Sequence, residues 1–404
     1  MPVLSRLLVA LSLTASTLSA QSDGVDLTVN HVGIGIGDVA RVTGIRLNFR
    51  DRKDFDVVGL NATIWAPYDD VRGTVTGIAL GLPLTAATRI DGIGLGVFGA
   101  AAERDLRGIG IGGLGVGAGG DLQGIMIGGL GAGSGGDVTG IQVGGLGVGS
   151  GGNVKGITIG GLGAGAGGQL KGIAVGGAGV GAGGDVYGLA VGGLGVGGGA
   201  DVTGIVIGGL GVGGGADLRG LAIGGLGVGA GGRIRGITIG GFGVGGGSSI
   251  KGITVGGIGV GSGGDLTGLT VGGIGVGAGG DTRGITVAGV GIGSGGTLRW
   301  VSVAGVGIGA PRIIGFAAAP MVGAERAKAL IIAPAYMRIE RGTFSGVSVS
   351  AFNHVKGDQY GLTIGIFNYA YYLHGVQIGL LNYAKSNPAP FKLLPIANFH
   401  VDRR

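Results

Sequence analysis

Short stretches in which apolar and small residues alternate recur along most of the chain at a fixed interval. In a long central array a glycine begins a unit at every sixteenth position, and the unit from Gly124 reads GIMIGGLGAGSGGDVT. Within it Ile125 and Ile127 are two residues apart, as are Leu130 and Ala132. A period of two is typical of β-strands, and interior glycine opposes a helix because each costs about 1 kcal/mol relative to alanine. The pattern therefore predicts two short strands in every unit.

The units are aligned by a column of glycines, which we call the anchor glycines. In the regular array they are Gly108, Gly124, Gly140, Gly156, Gly172, Gly188, Gly204, Gly220, Gly236, Gly252, Gly268 and Gly284, and Trp300 takes the next position. The register continues with looser spacing at Gly44, Gly59, Gly77, Gly92, Gly315, Gly346, Gly361 and Gly375, with Ala329 in an equivalent position. Repeats of this length indicate a solenoid, a propeller or an array. We divide the chain into irregular N-terminal repeats with a cap (21–107), the regular array (108–299) and irregular C-terminal repeats with a cap (300–404).

The alternation changes phase at Gly128 and Gly129, where we expect a turn, since glycine accepts a positive φ without penalty. Two all-β topologies fit two strands and two turns per unit. In a glycine-rich β-solenoid with 16-residue coils, each unit stacks in parallel on the previous one at ~4.8 Å. In the alternative, the Gly-Gly pair is a hairpin turn, and an antiparallel meander closes into an outer-membrane β-barrel. We favour the solenoid, because near-identical units running in one direction place identical residues in stacked columns.

The solenoid interpretation assigns an inner and an outer side to each position. We expect the Ile/Val pair after each anchor to face inward and to meet the Leu/Val/Ala row of the second strand in a dry core. The residue within that pair then faces outward, as in the column Thr238, Thr254, Thr270, Thr286 and Ser302. The outward positions of the second strand are almost all glycine, as at Gly115 and Gly117. Such a bare, flat face predicts a partner, which is a lipid surface, another copy or a neighbouring sheet.

Two outward columns carry charge and are the candidate sites for a surface ligand or partner. The first, one residue before the anchors, is basic at Lys155, Lys171, Arg219, Arg235, Lys251, Arg283 and Arg299. The second, two residues earlier, is acidic at Asp121, Asp137, Asp185, Asp201, Asp217, Asp265 and Asp281. Opposite charges at i and i+2 predict a salt-bridged, solvated edge. The sharper alternative is a linear site for an anionic polymer or for lipid head groups, which the interleaved carboxylates weaken.

The N-terminus reads as a secretory signal peptide over residues 1–20. Arg6 precedes an apolar run, and small residues lead to Ala20, after which we expect cleavage. The chain has no cysteine, so disulfides and cysteine-ligated metal sites are excluded, and an oxidising compartment would not affect folding. We therefore expect export, to the outer membrane, cell surface or periplasm of a bacterium.

The C-terminal segment 344–399 is rich in aromatic residues while keeping the repeat. Its units GLTIGIFNYAYYLH and GVQIGLLNYAKSNP start at Gly361 and Gly375. Asn353, Asn368 and Asn382 each lie seven residues after an anchor, a spacing that predicts a stacked, hydrogen-bonded ladder. The aromatic residues either cap the end of the solenoid or form a membrane-interface belt.

The repeat motifs resemble those of a known protein family. GVQIGLLNYAKSNP and the many GIxIGGLGVGAGGDLxG units resemble a bacterial surface-repeat family first described in spirochaetes, over roughly residues 30–400. The central array departs from the family by placing glycine where the family has asparagine and bulky residues. The resemblance implies an exported, envelope- or surface-associated protein. It implies no enzymatic activity, so no functional residues carry over.

The remaining signals favour no catalytic, cofactor or metal site. The four histidines are scattered without metal-binding spacing, and the many GxGxxG matches lack a strand–loop–helix context. Net charge +6 without a basic–aromatic patch does not suit nucleic acid. We expect a non-enzymatic, exported structural or interaction protein of the envelope; the alternative is an outer-membrane barrel acting as a passive pore. Its partners would be an envelope polysaccharide, a membrane surface, or another copy bound through the glycine face.

Overall fold

The computed structural model describes residues 24–52, 54–69 and 71–400, and there every regular element is a β-strand. The predicted signal peptide, residues 1–20, lies outside the described residues. The chain divides into two compact units, Met1–Gly183 and Gly184–Arg404, which we call unit 1 and unit 2. In the described residues we find no helix with the length and hydropathy needed to cross a membrane.

Unit 1 contains sixteen strands. They are β1 (Gly24–Val29), β2 (Val32–Gly37), β3 (Arg41–Asn48), β4 (Asp54–Thr63), β5 (Arg72–Gly81), β6 (Leu84–Gly96), β7 (Gly99–Gly112), β8 (Gly115–Ala118), β9 (Leu122–Gly128), β10 (Gly131–Ser134), β11 (Val138–Gly144), β12 (Gly147–Ser150), β13 (Val154–Gly160), β14 (Gly163–Ala166), β15 (Leu170–Gly176) and β16 (Gly179–Ala182).

Unit 2 contains the next twenty strands. They are β17 (Val186–Gly192), β18 (Gly195–Gly198), β19 (Val202–Gly208), β20 (Gly211–Gly214), β21 (Leu218–Gly224), β22 (Gly227–Ala230), β23 (Ile234–Gly240), β24 (Gly243–Gly246), β25 (Ile250–Gly256), β26 (Gly259–Ser262), β27 (Leu266–Gly272), β28 (Gly275–Ala278), β29 (Thr282–Ala288), β30 (Gly291–Ser294), β31 (Thr297–Ala304), β32 (Gly307–Ala318), β33 (Met321–Ile339), β34 (Thr343–Leu373), β35 (Val376–Ala384) and β36 (Leu393–Phe399).

In the regular array a seven-residue strand alternates with a four-residue strand, and each coil contains one of each. Within each unit the strands of the array pair in parallel with the same strand of the next coil, 16 residues further on, as in Val138↔Val154 for the long strands and Gly131↔Gly147 for the short ones. The predicted β-solenoid with 16-residue coils is confirmed. The alternative, an antiparallel meander closing into a barrel, is wrong, because the units pair in parallel.

The side chains of the long strand are inverted relative to the sequence expectation. Met126 is 1% exposed, whereas its neighbours Ile125 and Ile127 are 38% and 41% exposed. Leu122, Met126 and Gly128 lie an even number of residues apart and face inward together, on the ordinary alternation of a strand, which leaves Ile125 and Ile127 on the opposite side. The expected inward Ile/Val pair is therefore wrong: these residues lie on the outer surface.

At the inward position between the two exposed aliphatic residues the two sheets of a coil are close together, and many coils carry a small residue there. A methyl group added at the inward Gly110 would lie 2.8 Å from Val116 Cγ1 of the facing short strand. The column Thr238, Thr254, Thr270, Thr286 and Ser302, expected on the outside, is buried in this interior. The hydroxyls of Thr238 and Thr270 have no hydrogen-bond partner there, so β-propensity and small volume account better for these threonines than hydrogen bonding does.

Each unit has one atypical end. In unit 1, β1 pairs antiparallel with β2, and the buried Arg46 binds the carboxylates of Asp38 and Asp51 inside the first coils. In unit 2, β36 pairs antiparallel with β35. Solenoids need such altered terminal coils, because the outermost core layer has no further coil to cover it.

Candidate interaction surfaces

On the outer side of the long strands, the positions that follow the anchor are apolar in every coil. Two outward columns lie one and three residues after the anchor position, and we call them together the apolar face. The first column is Ile34, Ile45, Leu60, Ile78, Ile93, Ile109, Ile125, Ile141, Ile157 and Ile173 in unit 1, and Leu189, Ile205, Leu221, Ile237, Ile253, Leu269, Ile285, Val301, Phe316, Leu330, Val347, Leu362 and Val376 in unit 2. The second is Ile36, Leu47, Ala62, Leu80, Leu95, Ile111, Ile127, Val143, Ile159 and Val175 in unit 1, and Val191, Ile207, Ile223, Ile239, Val255, Val271, Val287, Val303, Ala318, Ile332, Val349, Ile364 and Ile378 in unit 2.

None of these side chains is buried, and none is polar. The inward position between the two columns varies freely, from Gly110 and Met126 to Gln142 and Thr158. Duplication of a repeat therefore does not by itself explain the apolar face, since a neighbouring column of the same repeat has diverged. Sequence reasoning missed this surface because it assigned large aliphatic residues to the core.

The predicted basic column borders the apolar face on the same strands. Its members stack in register, as in Lys155↔Lys171 in unit 1 and Arg219↔Arg235 in unit 2. Lys155, Lys171, Arg235, Lys251, Arg283 and Arg299 are exposed, and Arg219 is half-buried. The apolar face is therefore flanked by cationic side chains in both units.

Among the seven basic residues, the predicted ion pair forms only where the residue two positions earlier is an aspartate. Arg219 lies 2.8 Å from Asp217 and 3.2 Å from Asp201, and Arg283 lies 3.0 Å from Asp281. The other five have no carboxylate within 4.0 Å in the described part of the chain. These are Lys155, Lys171, Arg235, Lys251 and Arg299.

The aspartate column has a structural use that the sequence did not suggest. Asp121 Oδ1 accepts the backbone N–H of Asp137 at 2.8 Å, and Asp137 Oδ1 accepts that of Asn153 at 2.7 Å. The same bond links Asp185 to Asp201 and Asp265 to Asp281. Each side chain thus satisfies a backbone donor in the turn of the next coil, which would otherwise lack a partner in the sheet.

These bonds stabilise the ionised carboxylates. The backbone N–H of Arg233, followed by its guanidinium, lowers the pKa of Asp217 to about 2. The backbone N–H of Thr297 and then the Arg283 side chain lower the pKa of Asp281. Because Oδ1 already accepts a backbone N–H, each of these aspartates has fewer free acceptor sites for a ligand.

The outer side of the short strands is the glycine face that the sequence predicted. The outward glycines of this face include Gly149 and Gly181 in unit 1 and Gly213 and Gly245 in unit 2. A Cβ added at any of these four would meet nothing within 4 Å. The solenoid itself therefore does not require glycine at these positions.

A recess of about 760 Å³ opens on the first coils of unit 1. There, the segments 49–52 and 64–69 take the place of the short strands of the regular coils. Ala62 of the apolar face lies between Leu47 and Leu80 in register, and this small side chain leaves a depression between two leucines.

Two guanidinium groups lie beside this recess. Arg50 donates from Nε to the Ala66 carbonyl oxygen at 2.7 Å, and its Cζ is 3.6 Å from the centre of the Tyr68 ring. Arg52 donates to the Tyr68 hydroxyl at 2.8 Å, and this bond lowers the pKa of that hydroxyl. All three residues line the recess.

The C-terminal coils contain the predicted asparagine ladder. Asn353 Nδ2 donates to Asn368 Oδ1 at 2.8 Å, and Asn368 Nδ2 donates to Asn382 Oδ1 at 2.7 Å, all three being buried. Beside it the ring of Phe352 lies 5.3 Å from that of Tyr336 and 5.0 Å from that of Phe367, in the neighbouring coils. The prediction of a ladder is confirmed, and its hydrogen bonds link successive coils near the end of unit 2.

Among the described residues, no group of three or more histidine, aspartate or glutamate side chains is placed to hold a metal ion. Comparison with protein-family models, curated proteins and solved structures gave no match.

Proposed function

We propose that this protein is an exported, non-enzymatic structural protein of a bacterial envelope that lies against an anionic lipid surface through its apolar face. The observation that carries the proposal is that neither column of the apolar face contains a polar residue. In unit 1, ten strands at ~4.8 Å spacing, with about 10 Å of each exposed, present on the order of 500 Å² of apolar surface. The largest apolar patch of a typical soluble monomer covers about 300–600 Å² and is often functional.

The charge beside the apolar face supports an anionic lipid as the partner. Apolar residues flanked by lysine and arginine are typical of elements that lie in the membrane interface, with the cations at the head groups. The cations here are available, since five of the seven basic residues have no carboxylate partner among the described residues. A polysaccharide would use the basic column but would leave the aliphatic columns in water.

The proposal is tested by vesicle flotation of the purified chain. We expect it to float with vesicles containing phosphatidylglycerol and to remain unbound with phosphatidylcholine alone. Binding should weaken with salt, and by about fivefold for each of Lys155→Gln, Lys171→Gln and Lys251→Gln, since a basic residue near an anionic surface contributes about 1 kcal/mol.

Two variants separate the faces. Ile141→Asn places a polar group on the apolar face and should reduce binding, whereas Gly149→Asn places the same side chain on the glycine face and should not. Equal binding to neutral vesicles, or an equal effect of the two variants, would exclude this mode of attachment. Export is tested separately, by fractionating cells that produce the full chain.

A further inference from the structure

We propose that the recess in unit 1 is a binding site for a single-chain amphiphile with an anionic head group, such as a long-chain carboxylate. This goes beyond attachment to a membrane, because it assigns one saturable site to one place in the chain. The volume of about 760 Å³ falls in the range of about 300–1,000 Å³ that is usual for sites of small ligands.

The walls of the recess suit an acyl chain. Ile36, Leu47 and Leu80 come from the apolar face, and Phe49, Ile64 and Leu82 come from the surrounding segments. Phe49 and Ile64 line the recess and are among the more exposed large apolar side chains of unit 1. A bound alkyl chain would remove these surfaces from water, which is the main source of affinity in such sites.

The edge of the recess suits an anion. Arg50 and Arg52 are gathered around one tyrosine ring, with Cζ 3.6 and 4.5 Å from its centre. Arg50 donates from Nε to the Ala66 carbonyl oxygen, and no carboxylate lies within 4.0 Å of it among the described residues, so no described carboxylate neutralises its charge at the edge of the recess. Guanidinium groups bind carboxylate and phosphate with paired, charge-assisted hydrogen bonds.

The one described carboxylate that lines the recess does not oppose this assignment. Asp38 accepts hydrogen bonds from Arg46 at 3.0 Å and from Asn48 at 3.1 Å. The charge of Asp38 is thus paired with the buried Arg46. The arrangement therefore favours a negative head group over a neutral or cationic one.

The test is equilibrium dialysis of the full chain against radiolabelled dodecanoate below its micellar concentration, without vesicles. Dodecyl phosphate, dodecanol and dodecylammonium serve as competitors. We expect one saturable site per chain, competition by both anions and little competition by the neutral and cationic probes. The stronger of the two anionic competitors identifies the head group as carboxylate or phosphate.

Matched variants locate the site. Ala62→Leu fills the depression with the residue found at the same position in both neighbouring strands, and should weaken dodecanoate binding at least tenfold. Ala318→Leu makes the same change in the same column of unit 2, and should have no effect. Arg50→Gln and Arg52→Gln should each weaken binding about tenfold, whereas Arg104→Gln, outside the recess, should not.

The urea midpoint of each variant shows that its fold is intact. Equal losses from Ala62→Leu and Ala318→Leu, or equal competition by dodecanoate and dodecylammonium, would overturn the proposal. So would the absence of saturable binding to the wild-type chain. Vesicle attachment is measured without free amphiphile, so the failure of one proposal is distinguishable from the failure of the other.

Discussion

Glycine serves two different purposes on the two strands of each coil. At the anchor Gly156 the backbone has a φ of 135°, and an added Cβ would lie 2.0 Å from the carbonyl oxygen of Gly140 in the preceding coil. At Gly149, on the short strand, an added Cβ would meet nothing within 4 Å. Glycine is therefore required by coil-to-coil packing at the anchor, whereas no contact in the described residues requires it on the short strand.

The same distinction holds for the polar columns. The aspartates act between coils, through Oδ1 and the next backbone N–H, whereas most of the basic side chains lack a carboxylate partner among the described residues and the apolar face stays exposed or half-buried. The columns used between coils explain how the solenoid is built. The basic column and the apolar face do not build the solenoid, and they are the surfaces at which we expect a partner to bind.

The largest effect should come from filling an anchor position. Gly156→Ala places a side chain in a backbone region that is nearly exclusive to glycine and against a carbonyl oxygen, so we expect unfolding free energy to fall by about 3 kcal/mol or more. Urea denaturation followed by circular dichroism measures the loss. An unchanged midpoint would mean that the coils are not packed as described.

The next effect concerns the bonds between aspartate and backbone. Asp217→Ala removes the acceptor for the Arg233 N–H and should lower stability by about 2 kcal/mol. Asp217→Asn should cost less, because an amide oxygen makes the same bond where Asn153 accepts the N–H of Gln169 at 2.8 Å. Urea midpoints at pH 7 compare the two variants, and equal losses would contradict the role of this bond.

The low pKa of Asp217 adds a pH dependence to that comparison. Its folded value, about 2, is below the ordinary 3.8, so its contribution is complete above about pH 4 and is lost as the pH falls toward 2. Urea midpoints between pH 5 and 2 should therefore decline less steeply for Asp217→Asn than for the wild-type chain. Parallel declines would show that this carboxylate is not the group responsible.

A smaller effect, of opposite sign, is expected where the anchor column is interrupted. Trp300 stands between Gly284 and Gly315 in register, with a φ of 84° and a side chain that is 70% exposed. Trp300→Gly should raise stability by about 1 kcal/mol, because it relieves backbone strain and gives up little packing. A fall in the urea midpoint would instead assign the indole a contact that outweighs the strain.

The smallest effect is the matched control for the first. Gly149→Ala makes the same change on the open short strand, where alanine suits a strand better than glycine by about 0.5 kcal/mol. The urea midpoint should rise slightly or stay the same. A loss comparable to that of Gly156→Ala would remove the distinction between the two glycine columns.

The sequence predicted the strands, the 16-residue coils and the asparagine ladder, because each depends on which residues recur at equal spacing. It did not predict which side faces inward. Period-two alternation is compatible with either side facing inward, and hydrophobicity alone would bury the Ile/Val pair. In the structure Leu122, Met126 and Ala132 fill the interior instead.

The candidate surfaces were predictable only in part. The basic and aspartate columns follow from the repeat, but the bond from Asp121 to the next coil depends on the rise between coils and on the direction of one N–H. The recess depends on irregular segments and on Ala62 between two leucines, which no periodic pattern reveals.

The most direct test of the account is the side to which each residue of a long strand points. The chain has no cysteine, so Thr158→Cys and Ile159→Cys each introduce a single thiol at adjacent positions of β13, one buried and one exposed. We predict that a maleimide modifies Ile159→Cys about as fast as the urea-unfolded chain, and modifies Thr158→Cys far more slowly, since that thiol reacts only after local opening. Fast modification of Thr158→Cys with protection of Ile159→Cys would place the aliphatic residues inside, and would contradict both the apolar face and the function proposed for it.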